Sequence, residues 1–191
     1  MSREEILASI WESKKKYLSP DSDKETKESS YKNWIKNCNR LTGMAKTLGD
    51  DREAYYISPD GSRPKETAFN NWNKKARLLA DQAKTPAEAR NAQRNSPPGS
   101  GAEKLALTRR VKLCSTPALA KEELRESEPG SLEAELLLAR WIDVCTTENE
   151  LDEVLGGLRP KSVARKLALG KLEKLKPHQV NQESSFVEVN A

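Results

Sequence analysis

The chain has 191 residues, in which 33 basic and 29 acidic side chains nearly cancel and hydrophobic residues make up 36%. A chain of this length forms one generous domain or two small ones, and its balanced charge argues against wholesale disorder, which usually combines low hydrophobicity with high net charge. No apolar run approaches the roughly 18 to 20 residues of a membrane span, and charge interrupts the N-terminal segment where a signal peptide needs an apolar region. We therefore expect an intracellular protein, cytoplasmic or nuclear, with no membrane partner.

The composition predicts an all-α fold with two small helical domains. Ala, Leu, Glu, Lys and Arg dominate, as they do in helices, and strand alternation is absent. Residues 1–100 hold eight of the ten aromatic residues, whereas the rest of the chain is rich in leucine, so two differently built cores are expected. We predict an aromatic-rich domain at 1–91, a flexible linker at 92–101 where Pro, Gly, Ser and Asn accumulate, a leucine-rich domain at 102–176 and a disordered tail at 177–191.

The first domain begins with a predicted helix from about Ser2, the expected N-cap, to about Leu18. Its expected apolar stripe consists of Ile6, Leu7, Ile10, Trp11 and Tyr17. A second helix is predicted from about Lys27 to Leu48, where Gly49 stops it. A short helix over DDREAYYI, a turn at SPDGSRP and a long helix from Glu66 to Lys84 complete the domain.

Two stretches of this domain, at about 17–48 and 56–84, repeat each other. YLSPDSDKETKESSYKNW aligns with YISPDGSRPKETAFNNW so that Tyr17 matches Tyr56 and Trp34 matches Trp72. Helical spacing places both tryptophans in an apolar face that continues through Cys38 and Leu41 in the first copy and through Ala76 and Leu79 in the second. The sequence thus predicts a duplicated helix-loop-helix unit in which the tryptophans are core residues and the preceding tyrosine folds back beside each of them.

The opposite faces of the two long helices carry basic side chains at helical spacing. They are Lys32, Lys36 and Arg40 in the first copy and Lys74 and Arg77 in the second, with Lys75 beside them. Such residues can contact successive phosphates, although lysines on a helix also occur simply as a solvated face. Residues 1–100 hold 19 basic and 14 acidic side chains, which permits nucleic-acid binding without requiring it.

Helices separated by Pro and Gly are predicted for the second domain. One ends near Ser115, and the next begins with Thr116 as N-cap and Pro117 at the first helical position. SLEAELLLARWIDVC is the most apolar segment and is predicted to be the central buried helix of this domain. Thr147 and Glu150 form a capping box for a short helix that ends at the two glycines 156 and 157, and a further helix starts after the proline at 160.

The run LGGLRPKSVARKL resembles the helix-hairpin-helix motif of DNA-binding proteins, in which a Gly-apolar-Gly turn presents backbone amides to a phosphate. Gly157, Leu158, Pro160 and Lys161 match that turn, while Arg159 stands where the motif has its second glycine. The resemblance implies a phosphate contact at this turn, and a plain helical hairpin is the alternative.

Basic side chains continue along the helix after this turn. From 159 to 176 the sequence has seven basic residues and one acidic residue, on a helix whose expected apolar side is Val163, Leu167, Leu169, Leu172 and Leu175. Such a helix can lie on phosphates, on an anionic membrane or against an acidic partner, and the lack of an aromatic anchor on its apolar side argues against the membrane. The candidate phosphate-binding residues are Arg159, Lys161, Arg165, Lys166, Lys171 and Lys174.

Support for catalysis is missing from the sequence. His178, the only histidine, lies in the expected tail and has no evident nucleophile or orienting carboxylate. The acidic pairs Asp50–Asp51 and Glu122–Glu123 are interpreted as helix capping and solvated charge, and the three widely spaced cysteines as reduced thiols. We therefore expect a protein that is not an enzyme and that has no metal, no cofactor and no small-molecule substrate.

Two functions from different classes remain. The first is a helical protein that associates with the backbone of DNA or RNA through its basic helix faces, as nucleoprotein, packaging or mobile-element accessory proteins do. The second is a structural or adaptor protein that assembles with itself or with a protein partner and does not bind nucleic acid. The spacing of the basic residues favours the first, and the near balance of total charge favours the second.

Overall fold

Residues 1–175 are described by this computed structural model, and they are all-helical. The helices of this part of the chain are α1 (Arg3–Leu18), α2 (Lys24–Met44), α3 (Leu48–Ile57), α4 (Arg63–Gln82), α5 (Pro86–Arg94), α6 (Gly101–Leu113), α7 (Pro117–Arg125), α8 (Leu132–Val144), α9 (Glu148–Gly156) and α10 (Val163–Leu175). Each odd-numbered helix packs against the even-numbered helix that follows it, so the helices form hairpins.

Two compact units divide the chain, one over Met1–Leu113 and the other from Cys114 onward. The first unit contains the α1–α2, α3–α4 and α5–α6 hairpins, in which α2 also packs against α4 and α4 against α6. The second unit contains the α7–α8 and α9–α10 hairpins, in which α10 also packs against α8.

Threonine N-caps begin the first helix of four hairpins. The side-chain oxygen of each threonine accepts a hydrogen bond from the backbone N–H three residues later, which satisfies one of the free donors at the helix start. These threonines are Thr47, Thr85, Thr116 and Thr147. For Thr47 and Thr147 the residue three positions on is acidic and returns a bond, so both form capping boxes, as predicted for Thr147.

Four of the five turns between paired helices of residues 1–175 contain a left-handed residue. Gly61, Gly99 and Gly130 have φ of 69°, 72° and 81°, in a region that glycine enters without steric cost. Lys161 holds the same place before α10 with φ of 84°, where its Cβ is strained. The following serine donates its N–H to the carbonyl three residues back in each of these four turns.

The two tryptophans that were predicted to be core residues lie in the core of the first unit. Trp34 and Trp72 are buried, and Trp34 packs among Ile6, Ile10 and Cys38. The ring centroids of Tyr17 and Trp34 lie 6.0 Å apart, so this tyrosine folds back beside the tryptophan as predicted.

Tyr17 and Tyr56, which the repeat pairs with one another, lie at the same distance from their tryptophans: the ring centroids are 6.0 Å apart in both Tyr17–Trp34 and Tyr56–Trp72. Tyr17 also contacts Tyr31, 14 residues later, and in the second copy it is Tyr55 that contacts Phe69 over the same interval. The contacts of Tyr17 are therefore divided between Tyr55 and Tyr56 in the second copy.

Three helix predictions need correction. Trp11 and Leu79, expected in apolar stripes, are exposed. The second helix covers Lys24–Met44 rather than 27–48, because Thr47 caps a new helix that includes Gly49 in its first turn. The helix over Leu132–Val144 is not buried all round: Ala134, Leu137, Trp141 and Ile142 face the core, while Leu132 and Leu136 are exposed.

The predicted linker at 92–101 is a packed connection inside the first unit. Ala92 belongs to α5, and Ala92, Ser96, Pro97 and Ser100 are buried. The Ser96 hydroxyl donates to the Ala92 carbonyl at 2.8 Å, so the segment closes the α5–α6 hairpin. The predicted tail at 177–191, with His178, lies outside the described residues.

Candidate nucleic-acid interface

All five candidate residues of the first unit are exposed. Lys32, Lys36 and Arg40 lie on the solvent side of α2, and Lys74 and Arg77 on that of α4. Within residues 1–175, none of the five forms an ion pair with a carboxylate; Arg40 contacts only the Asn37 side-chain oxygen and the Met1 sulfur. Their charges are therefore available to an external anion.

The neighbouring Lys75 has a structural role instead. Its ammonium lies 2.5 Å from the Asp51 carboxylate, which is completely buried, and 3.3 Å from the Thr47 carbonyl. A second carbonyl, that of Ala45, lies 3.5 Å away at the C-terminal end of α2. The interpretation of Asp51 as solvated charge was therefore wrong: the burial of this carboxylate requires the lysine.

These contacts also fix how the second helices of the first unit lie beside one another. Since the Lys75 ammonium reaches the Ala45 carbonyl, the middle of α4 lies beside the C-terminal end of α2. In the same way Arg109 of α6 donates to the Ala83 carbonyl at the end of α4, at 3.2 Å. A cation beside free helix C-terminal carbonyls is favourable because the helix dipole is negative there.

Two further lysines on α6 were missed by sequence reasoning. Lys104 and Lys112 are exposed on either side of Arg109 and form no ion pair within the described part of the chain. The available signal was the Ser-Pro-Pro-Gly-Ser turn at 96–100, which matches Ser-Pro-Asp-Gly-Ser at 58–62 and places Lys112 in register with Lys74. The register was not recognised because this segment was interpreted as a linker.

The candidates near the C-terminus fall into two groups. Arg165 donates to the carbonyls of Leu155 and Leu158, at 3.0 and 3.4 Å, and Lys171 donates to the Ile142 carbonyl at 3.0 Å and to the Asp143 carbonyl. Arg165 therefore stabilises the α9–α10 turn, and Lys171 joins α10 to the C-terminal end of α8. The exposed members are Arg159, Lys161, Lys166 and Lys174.

Two backbone amides of the helix-hairpin-helix-like turn are already used. Gly157 donates to the Val154 carbonyl and Leu158 to the Leu155 carbonyl, each at 3.2 Å. These two amides close the C-terminal end of α9, so they are not free for the phosphate contact that the resemblance implies.

Charge is distributed unevenly along the chain. The first unit, Met1–Leu113, has 23 basic and 15 acidic side chains, whereas residues 114–158 have three basic and eleven acidic ones. The first unit is therefore the one with the net positive charge, and the exposed lysines of α2, α4 and α6 belong to it.

Residues 1–175 contain neither a metal-ligand cluster nor a membrane-spanning helix, and their cysteines are buried. No group of three or more His, Cys, Asp or Glu in this part of the chain is arranged to hold a metal, and none of its helices is long and apolar enough to cross a bilayer. Cys38, Cys114 and Cys145 are free and buried. Burial raises the pKa of the Cys38 and Cys145 thiols, which makes both poor nucleophiles.

No protein-family model, no curated protein and no solved structure matches this chain.

Proposed function

We propose that the chain is a non-enzymatic helical protein that binds the phosphate backbone of nucleic acid through the first unit. The observation that carries this proposal is the succession of exposed basic side chains on three neighbouring helices: Lys32, Lys36 and Arg40 on α2, Lys74 and Arg77 on α4, and Lys104 and Lys112 on α6. Contacts of this kind hold the backbone without a base code.

The hairpin architecture supplies the spacing between these side chains. We infer that the chain is built from tandem helix-loop-helix units that include the duplicated pair of the first unit. Equivalent faces of consecutive second helices then point the same way, and a polyanion that crosses α2, α4 and α6 meets basic residues on each. We expect Arg159, Lys161, Lys166 and Lys174 of the second unit to contribute less to binding, because the preceding residues 114–158 are acidic.

The test is a titration of the nuclease-treated protein against labelled single-stranded and double-stranded DNA and RNA at two salt concentrations. The first-unit variant carries Lys32→Gln, Lys36→Gln, Lys74→Gln and Arg77→Gln. Its matched control removes the same charge elsewhere, through Arg159→Gln, Lys161→Gln, Lys166→Gln and Lys174→Gln. All eight residues are exposed, so both variants should fold normally.

We expect the first-unit variant to bind about tenfold more weakly, or worse, and the control to stay within about threefold of the wild type. Absence of wild-type binding at low salt overturns the proposal. An equal loss in the two variants also overturns it, because the first unit would then have no special role.

A further inference from the structure

An aromatic cavity opens beside the turn of the first hairpin. Its volume of about 420 Å³ is within the range of ligand pockets in proteins. The residues around it are Tyr17, Ser22, Lys24, Lys27, Glu28 and Tyr31. The ring centroids of Tyr17 and Tyr31 lie 5.2 Å apart, and Tyr17 is 36% exposed. The cavity therefore offers the surface of an aromatic ring to a ligand.

Two lysines give this cavity an excess of positive charge. Lys24 and Lys27 accompany a single carboxylate, that of Glu28. Neither lysine forms an ion pair within residues 1–175, and Lys24 is exposed. The excess of positive charge disfavours the cationic ligands that aromatic rings often hold. Rings beside unpaired ammonium groups suit instead a ligand with a flat face and an anionic group, which is the composition of a nucleotide.

The second hairpin has a matching cavity in which the lysine is already paired. This cavity has a volume of about 380 Å³, and four of its residues follow their counterparts by 38 positions: Tyr55, Lys65, Glu66 and Phe69. The Lys65 ammonium lies 4.7 Å from the centre of the Tyr55 ring and 2.5 Å from the Asp60 carboxylate. The first copy has the uncharged Ser22 at the position of Asp60, so its Lys27 remains available to an anion.

The first cavity lies at one end of the face that is proposed to bind phosphates. Five exposed residues follow one another at steps of four along α2: Lys24, Glu28, Lys32, Lys36 and Arg40. Side chains at this spacing form one row on a helix, and each step advances about 6 Å along the axis. A strand whose phosphates lie on Lys36 and Lys32 therefore reaches the cavity one helical turn further on.

We propose that this cavity (Tyr17, Lys24, Lys27 and Tyr31) takes one nucleotide of a single strand, with the base against the tyrosine rings and an adjoining phosphate at the two lysines. The inference deepens the proposed function and rests on it. Stacking on an aromatic ring adds affinity for any sequence, because every base has a flat face. The bases of a duplex are paired and stacked inside it, so the cavity gives the protein a preference for single strands.

The experiment measures the affinity of the full, nuclease-treated chain for three labelled ligands of equal length. They are a single-stranded thymine oligonucleotide, an abasic oligonucleotide with the same phosphates, and a DNA duplex. Tyr17→Leu keeps an apolar side chain beside Trp34 but removes the ring, and Tyr56→Leu is its matched control, because Tyr56 lies at the same distance from Trp72. Circular dichroism checks that each variant keeps its helices.

A second pair of variants tests the lysine. Lys27→Gln removes the unpaired ammonium of the first cavity, and Lys65→Gln removes the paired one at the corresponding position of the second. Since Lys27 is expected to contact a phosphate, Lys27→Gln should weaken binding of both single-stranded ligands by about threefold or more, and Lys65→Gln should stay within about twofold of the wild type.

The wild type should bind the thymine strand about fivefold or more tightly than the abasic strand, because only the first can stack. Tyr17→Leu should lose this preference while its affinity for the abasic strand stays within about twofold of the wild type. Tyr56→Leu should keep the preference.

Equal affinity of the wild type for the thymine and abasic strands overturns the inference. The same holds for a Tyr17→Leu variant that keeps the preference, or for equal losses in Tyr17→Leu and Tyr56→Leu. Salt-sensitive binding to the abasic strand and the duplex in those cases leaves the proposed function intact. A wild type that binds none of the three ligands at low salt overturns both proposals.

Discussion

Trp34 donates its indole N–H to the backbone carbonyl of Ile57 at 2.9 Å, and this bond joins the second helix of one hairpin to the first helix of the next. The Cys38 thiol lies 3.9 Å from the same carbonyl. Trp72 repeats the arrangement, because it donates to the Asn95 carbonyl, also 23 residues later, at the end of α5. Each tryptophan therefore contributes both buried ring area and a directed bond between consecutive hairpins.

Replacing Trp72 by phenylalanine should destabilise the protein by about 1 kcal/mol through the lost hydrogen bond, because the Asn95 carbonyl loses its donor, and further through the cavity that the smaller ring leaves. Urea unfolding should show a lower midpoint with an unchanged slope. Trp11→Phe, on an exposed tryptophan without such a bond, should change the free energy of unfolding by less than about 0.5 kcal/mol. Equal effects of the two changes would refute the role of the indole bond.

Lys75→Met should be among the most damaging single substitutions, at about 3 kcal/mol, because it leaves the buried Asp51 carboxylate without its cation. Adding Asp51→Asn to this variant should restore part of the lost stability, since the uncharged amide no longer needs a counterion. Urea unfolding of the two single variants and the double variant measures this coupling. A double variant that is less stable than Lys75→Met alone would contradict the account.

Asp50 should make the stability of the first unit depend on acid pH. Hydrogen bonds from the Thr47 N–H and hydroxyl, together with nearby Arg3, lower the pKa of Asp50 from 3.8 to about 2. A carboxyl whose folded pKa is depressed stabilises the fold above its unfolded pKa, and this contribution is lost as the pH falls through the folded pKa. Asp50→Asn should therefore cost about 1 kcal/mol at neutral pH, the usual worth of a cap, and much less near pH 2.

The measurement is thermal unfolding of the wild type and Asp50→Asn at several pH values between 2 and 7. Other caps of the protein titrate in both proteins, so their contributions cancel in the difference. A difference in stability that is constant over this range would show that the Asp50 charge is not involved.

The three cysteines should be inert in the native state, because all are buried and burial raises the pKa of Cys38 and Cys145. A thiol-specific chromogenic reagent at pH 8 should label none of them rapidly in buffer and all three in denaturant. Fast labelling of any thiol in the folded protein would contradict its buried position.

Helical periodicity was enough to predict the all-helical fold and the burial of Trp34 and Trp72, because large aromatic side chains give a strong apolar signal. The α5–α6 hairpin escaped prediction for the opposite reason. Its core consists of small residues such as Ala92, Ala102 and Ala106, which bury little area each and leave no visible apolar period. Its turn, rich in Pro, Gly and Ser, has the composition of a linker although it closes a hairpin.

The basic residues show a second limit of sequence reasoning. Periodicity placed Lys32, Lys36, Lys74 and Arg77 on exposed faces, and they are exposed. It could not separate them from Lys75, Arg165 and Lys171, whose partners are carbonyls or carboxylates on other segments of the chain. Such partners depend on how one helix end packs against another. The spacing of residues along a single helix does not reveal that packing.

The salt dependence of nucleic-acid affinity is the most direct test of the central claim. For a labelled DNA duplex, the slope of log K against log salt counts the phosphates that the protein neutralises, at about 0.9 per phosphate. The account predicts that the slope of the first-unit variant is shallower than that of the wild type by about 3 to 4, and that the matched C-terminal variant keeps a nearly unchanged slope. A first-unit variant with the wild-type slope would contradict the assignment of the interface to α2 and α4.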